Sequence, residues 1–233
     1  MSERTEKETK VYGIFQRIAG RYDRSNAFIS LGLQKRWKKM LTDKVIRRLP
    51  EGAKVLDVCC GTGDISLMLA DAGRDIQVTG LDFSPAMLRE AEHRRKHRKN
   101  VRFLRGNALD LPFGDACFDA AVISFGLRNT ADYEKTVQEM KRVVRRGGRV
   151  YCLESLVPEN RVIKPFYRLY FRQVMPLLGG GKSFRREYQW LYESTRDFLG
   201  RRDLEALFGG AGLSDIRAKS RMFGACVLVS GRR

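Results

Sequence analysis

Lys54–Asp64, KVLDVCCGTGD, decides how this chain folds. Val55, Leu56 and Val58 form a short apolar run of the kind a buried parallel strand shows, interrupted by Asp57. Gly61, Thr62 and Gly63 follow at once, and Ile65, Leu67, Met68, Leu69 and Ala70 continue at helical spacing. The pattern predicts strand, glycine turn and helix. The turn then lies at the carboxyl end of a strand, where open α/β sheets bind their ligands. With no Cβ on the glycines, a ligand can approach the backbone closely.

About twenty residues on, QVTGLD at Gln77–Asp82 reads as a second strand ending in an acid. A carboxylate at that tip can accept hydrogen bonds from both hydroxyls of a ribose. The turn is C-G-T-G-D, not G-x-G-x-x-G, and Asp64 places negative charge at the helix N-terminus, where a pyrophosphate needs none. That disfavours a dinucleotide dehydrogenase; a cofactor carrying an amino acid and a sulfonium tolerates the acid. A glycine turn after a strand is common by itself, and the spacing to Asp82 gives it weight. The segment resembles the S-adenosylmethionine site of class I methyltransferases. Asp57, Gly61, Thr62, Gly63 and Asp82 are its cofactor-binding candidates.

The 233 residues suit one α/β domain with decorations. No apolar stretch approaches the ~20 residues needed to cross a bilayer, and the charged start MSERTEKETK lacks the apolar region of a signal peptide. The expectation is a cytoplasmic protein. Cys59 and Cys60 are adjacent and cannot form an ordinary bridge; Cys117, Cys152 and Cys226 sit among apolar neighbours and read as small buried residues. His93 and His97, the only two histidines, lie in a polar run, so no metal site is expected. The net charge of +18 leaves nucleic acid, an anionic membrane surface or solubility as explanations. Most of the basic residues are dispersed; only Arg161–Arg186 interleaves them with aromatics.

Val11–Leu49 reads as helices, with Ile14, Phe15, Ile18 and Ala19 on one apolar face and Leu33, Trp37, Met40, Leu41 and Val45 on another. Ser84-Pro85 opens a helix after the second strand. Val101–Gly106, Phe118–Phe125 and Arg149–Ser155 read as the third to fifth strands, with a helix ending at Arg145-Arg146-Gly147-Gly148 before the fifth. Arg201–Leu213 is a final helix closed by Gly212, and Ile216–Arg221 and Ala225–Ser230 are the last strands.

Tyr22-Asp23 with Asn26, Ser30-Leu31-Gly32 with Trp37, ISFGLRN and RVVRRGGRVYCLES together resemble the C-methyltransferases of ubiquinone and menaquinone biosynthesis (the UbiE/MenG family). The resemblance covers the chain from Val11 onward. Ser25 and Gln34 stand where the family usually has Met and His, and Arg-Arg-Gly-Gly replaces Lys-Pro-Gly-Gly; these departures are taken as structural. The resemblance implies a class I, Rossmann-like fold: a seven-stranded, mostly parallel sheet with an antiparallel last strand. Around it we expect a helical cap at 11–49, a cofactor-binding core at 50–158, a helical lid at 159–200 and a final helix with a strand hairpin at 201–233.

It also implies S-adenosylmethionine as cofactor and a prenylated quinol of the demethylmenaquinol type as substrate, with a ubiquinone-precursor benzoquinol as the alternative. Asn107 and Ala108 would read the adenine edge, Phe83 or Leu109 would pack on its face, and Ser124 would help hold the cofactor. Arg128 and Asn129, just past the fourth strand, take a catalytic place by the same resemblance. An arginine stays protonated, so Arg128 is expected to stabilise a developing phenolate, or else to pair with the cap, at Asp23. Tyr22 and Asn26 would orient the ring, Tyr22 as a further catalytic candidate, with Phe125 and Tyr188 on the substrate side. The aromatic, basic lid would shelter an isoprenoid tail, lie on anionic lipid, or form a homodimer contact. Two rival readings stay open: an RNA methyltransferase, which lacks here the usual Asn/Asp-Pro-Pro-aromatic site, and a non-catalytic cofactor-binding subunit of a quinone-synthesis assembly.

Overall fold

The computed structural model describes residues 6–21, 30, 32–158, 160–169 and 185–233. Among the described residues two helices, α1 (Glu6–Ile18) and α2 (Leu33–Ile46), precede the sheet. Strands and helices then alternate as β1 (Lys54–Val58), α3 (Asp64–Ala70), β2 (Gln77–Asp82), α4 (Pro85–Arg95), β3 (Val101–Arg105), β4 (Phe118–Ser124), α5 (Tyr133–Val143) and β5 (Val144–Ser155). After them come α6 (Ile163–Leu169), α7 (Arg185–Arg196), α8 (Arg201–Gly210), β6 (Ser214–Arg221) and β7 (Cys226–Arg232).

The seven strands form one sheet in the order β3-β2-β1-β4-β5-β7-β6. All run parallel except β7, which is antiparallel to both β5 and β6. The chain winds outward from β1 to β3, then returns to β1's other side with β4. The crevice between β1 and β4 is therefore the switch point at which such sheets bind ligands.

Both faces of the sheet are covered, which is why β1 and β4 read as near-continuous apolar runs. Leu56, Val58, Ala121 and Ile123 face α5 and α8, where Met140, Leu204 and Phe208 are fully buried. Val55, Ala120 and Val122 face α2 and α3 through Leu41, Val45 and Leu69. Each such side chain contributes about 1.5–3 kcal/mol on burial. The Ser84 hydroxyl caps α4 by accepting from the Met87 amide at 3.3 Å, with Pro85 in the first turn. Gly212, at φ +74°, closes α8.

Two expectations are corrected. The fifth strand begins at Val144, not Arg149, because Val144 pairs with Phe118 and the register shifts before Ala120 pairs with Arg149. Gly147 and Gly148 therefore make a bulge in a strand rather than a helix end: Gly147 has φ +82°, and a Cβ on Gly148 would stand 2.4 Å from the Asp119 carbonyl oxygen. Cys60, Cys152 and Cys226 are buried, but Cys117 is exposed in the loop before β4.

Candidate active site

At the carboxyl edge of the sheet a hollow of about 660 Å³ opens between the ends of β1 and β4. Its first wall is the glycine turn. Cys59 leaves β1 at φ +55° and Gly61 follows at φ +56°. A Cβ on Gly61 would meet nothing within 4 Å, so the missing side chain leaves open space. The Gly61 amide donates to Asp82 Oδ2 at 2.9 Å and the Ser84 amide to Oδ1 at 2.9 Å. Asp82 is thus aimed by backbone before any ligand arrives. Burial pushes its carboxyl up to about 6, against the pull of those amides.

The second wall follows β4. Phe125 also adopts a left-handed conformation, φ +57°. For a residue with a Cβ this costs of order 1–3 kcal/mol, and such strain concentrates at functional sites. A Cβ on Gly126 would lie 2.6 Å from Cys59 Cβ, so glycine lets the two strand ends approach. Ser124 Oγ and Asn129 Oδ1 are buried atoms with no hydrogen-bond partner among the described residues, and both residues line the hollow. Asn129 Nδ2 donates to the Phe125 carbonyl at 3.4 Å. Orphaned polar atoms of this kind cost about 1–3 kcal/mol each unless a ligand or water meets them.

Asn107 and Ala108, from the turn after β3, and Phe83, Leu81 and Met87 complete the lining, with Glu8 and Phe15 brought in by α1. Asn107 Oδ1 accepts from the Leu109 amide at 3.0 Å and its Nδ2 donates to Glu8 Oε1 at 3.3 Å. Tyr12 stands edge-on to Phe83 with ring centroids 5.7 Å apart. Gln16 Nε2 donates to Ser84 Oγ at 3.3 Å. Helix α1 is thereby tied to the rim.

Of the residues singled out from the sequence, Gly61, Asp82, Phe83, Asn107, Ala108, Ser124, Phe125 and Asn129 come together around the hollow. Asp57, Thr62, Gly63 and Arg128 lie behind its lining. Asp57 accepts from Ser66 Oγ at 2.6 Å and is pushed up to about 7 by burial. Arg94 Nη1 donates to the carbonyl and the hydroxyl oxygen of Thr62, at 3.0 Å each. A Cβ on Gly63, at φ +82°, would come 2.8 Å from Phe103. Asp64 pairs with Lys38 at 2.7 Å and with Arg94. Burial pushes its carboxyl up, but those two cations outweigh it and hold it below the usual range. The acid at the helix N-terminus is therefore neutralised from within.

Arg128 sits in the turn Leu127–Asn129, and its guanidinium pairs with Glu154 at the end of β5; both side chains are buried. The Arg128 amide also donates to Glu154 Oε1 at 3.3 Å. Burial raises the Glu154 carboxyl, and the Arg128 charge opposes that rise. Tyr22 and Asn26, with Asp23, fall outside the described residues. Tyr188 is carried on α7, and its side chain also falls outside them. Sequence reasoning missed Glu8, Phe15 and Cys59 as lining residues and Glu154 as the partner of Arg128. Glu154 did carry a signal, an acid closing an apolar strand just as Asp82 does.

The aimed carboxylate of Asp82, the open space at Gly61 and the unmet Ser124 and Asn129 atoms fit a ligand with a ribose and further polar groups. Solved structures share this architecture. A SAM-dependent methyltransferase from Thermotoga maritima superimposes with a TM-score of 0.64 at 21% identity, over 95% of this chain and 99% of that one. Haemonchus contortus phosphoethanolamine N-methyltransferase 2, solved in complex with S-adenosyl-L-methionine, gives 0.58 at 19% identity, over 77% of this chain and 38% of that one. At such identities the likeness defines the fold: that of class I methyltransferases.

The model of the ubiE/COQ5 methyltransferase family matches residues 3–233, and the chain belongs to that family. It is 46% identical over 216 residues to a demethylmenaquinone methyltransferase from Bacillus licheniformis, covering 91% of each chain. It is 44% identical over 221 residues to one from Bacillus subtilis, covering 92% of this chain and 93% of that one.

Proposed function

We propose that this protein is an S-adenosylmethionine-dependent C-methyltransferase that converts a demethylmenaquinol to the menaquinol. The observation that carries this reading is the hollow, with Asp82 aimed on one wall and unmet Ser124 and Asn129 atoms on the other. Near-full-length relatives named for that reaction support it.

S-adenosylmethionine, when bound, supplies a methyl group already activated on a sulfonium. Asp82 accepts the ribose hydroxyls, Gly61 leaves room for the cofactor's approach, Phe83 packs on the adenine, and Asn107 and Ala108 read its edge. Ser124 meets a further polar group of the cofactor. Most of the rate then comes from holding donor and acceptor in line in a dry site. The acceptor carbon becomes nucleophilic as a quinol hydroxyl passes its proton to a water held by polar side chains. Asn129 lines the hollow and its Oδ1 has no hydrogen-bond partner among the described residues, so we assign it as the hydrogen-bond acceptor for that hydroxyl. Arg128 is a positioning residue: gripped by Glu154, it fixes the turn that carries Asn129. Phe125, and by family resemblance Tyr22, Asn26 and Tyr188, orient the ring.

The quinol's isoprenoid tail makes a membrane surface the natural place of work, and two features support peripheral contact there. Val162, Phe166 and Leu169 are exposed at helical spacing on and beside α6, next to Arg161 and Lys164. Met222 and Phe223, at the tip of the β6–β7 hairpin, are also exposed. No helix among the described residues is long and apolar enough to cross a membrane.

The test is incubation with methyl-labelled cofactor and each reduced quinone, with the product identified by mass. Methylation of the naphthoquinol is expected. Methylation of the benzoquinol alone moves the protein to the ubiquinone branch, and cofactor binding without turnover on either quinol overturns the enzymatic reading.

A further inference from the structure

A second hollow, of about 690 Å³, lies at the opposite, amino-terminal edge of the sheet, where β4 and β5 begin and β7 ends. It is lined by Arg48, Arg145, Arg149 and Arg232, with Asp119, Asp215 and Tyr151 among them. Both acids are already engaged. Asp119 pairs with Arg145 and accepts from the Lys54 amide at 2.8 Å. Asp215 accepts from Arg149 Nη1 at 2.7 Å and from Arg217 Nε at 2.8 Å.

The other cations are not engaged. Neither Arg48 nor Arg232 forms an ion pair among the described residues, and Arg232 Nη2 would lie 3.6 Å from a Cβ on Gly147, which places its guanidinium over the bulge at the mouth. Arg149 is 6% exposed, so it forms the floor. Two of its nitrogens go to Asp215, while its Nε is buried with no hydrogen-bond partner. Lys44, one helical turn before Arg48, adds a further charge. Burial, and then the like charges of Arg149, Arg48, Arg217 and Lys219, pull its ammonium group down. A protein rarely leaves a buried guanidinium half-satisfied in a field of like charge, because the arrangement costs stability with no return.

We infer that this hollow is a binding site for a phosphate-bearing anion, held by Arg149 from below and by Arg48 and Arg232 at the rim. Planar guanidinium forks match phosphate oxygens in pairs, and such charge-assisted bonds are about twice as strong as neutral ones. The site is a concave pit with a buried floor, not the extended basic stripe interleaved with aromatic platforms that tracks a nucleic-acid strand. It is separated from the quinol hollow by the length of the strands, so it does not compete with the methyl donor. The same chemistry serves a soluble diphosphate compound or the headgroup phosphate of a lipid.

The test is calorimetric titration of the full chain with inorganic diphosphate at matched ionic strength, alongside the double variants Arg48→Gln/Arg232→Gln and Lys35→Gln/Arg36→Gln. All four positions are exposed, so both variants keep the fold. Saturable binding is expected, weakened about tenfold or more in the first variant and unchanged in the second. Arg149→Lys, which keeps the charge and loses the fork, should also weaken it. No saturable binding, or equal weakening in both double variants, overturns the site. Flotation with phosphatidylglycerol vesicles separates the sources. Flotation lost with Arg48→Gln/Arg232→Gln assigns the anion to a lipid headgroup, and flotation unchanged alongside weakened diphosphate binding assigns it to a soluble compound.

Discussion

On the β1–β2 side of the main hollow the polar group is satisfied before anything binds: Asp82 receives the Gly61 and Ser84 amides. On the β4 side Ser124 Oγ and Asn129 Oδ1 have no partner among the described residues, and the turn behind them is braced by the buried Arg128–Glu154 pair. The first wall is preorganised, so a ligand's hydroxyls add to it without rearrangement. The second carries unmet hydrogen-bonding capacity that a ligand recovers on arrival. One site can thus grip a cofactor firmly and still reserve binding energy for the step in which the acceptor must be placed.

The largest effect should come from the brace. Glu154→Ala breaks a buried ion pair by removing one partner and should cost about 3–5 kcal/mol of stability in urea titrations. The double change Arg128→Met/Glu154→Leu should recover much of that stability while turnover stays low; recovery of turnover as well would show that the pair plays no part in placing Asn129. Next is Asp82→Ala, expected to weaken S-adenosylmethionine by about 1.5–3 kcal/mol in calorimetry. Unchanged affinity would remove Asp82 from the site and dissolve the contrast between the walls.

Titration sharpens the contrast further. Burial raises the Asp82 carboxyl to about 6, and in the proposed role it meets the ribose hydroxyls in its ionised form. Cofactor affinity should therefore fall as pH drops through 6, by about tenfold at one unit below, and Asp82→Asn should flatten the profile. Protein stability moves the opposite way on account of the same group and of Asp57, raised to about 7. Both bind protons more tightly folded than unfolded, so their ionisation costs stability as pH rises from about 4. The smallest effect is expected for Ser124→Ala, which should weaken the cofactor by about 0.5–1.5 kcal/mol without lowering apo stability, because its hydroxyl has no partner to lose among the described residues. Lost apo stability would mean the two walls are satisfied alike.

The first wall was legible because its determinants are local: an apolar run, a glycine turn and an acid closing the next strand all lie in short stretches with their own periodicities. The second wall was legible in its residues but not in its pairings. Glu154 meets Arg128 only because β4 and β5 pair in parallel with Ser124 opposite Leu153, a register no local pattern states. Lys38 misleads in the same way. It falls on the basic side of α2, yet it is 8% exposed, because Asp64 draws its ammonium inward. The Arg-Arg-Gly-Gly turn reads as a helix end from its glycines, and only its pairing with the neighbouring strand shows it to be a bulge. Glu8 and Phe15 reach the hollow through packing of α1 on α4, and nothing in their own stretch announces it.

The position of β7 has a consequence for how the protein is made. Last of the strands in sequence, it is next to last in the sheet, wedged between β5 and β6, and β6 has no other neighbour. Until residues 226–232 leave the ribosome, the nascent chain carries a bare strand edge on β5 and an unpaired β6, although the crevice between β1 and β4 already has every strand it needs. Synthesis thus passes through a stage that offers a template for mispairing with another nascent copy.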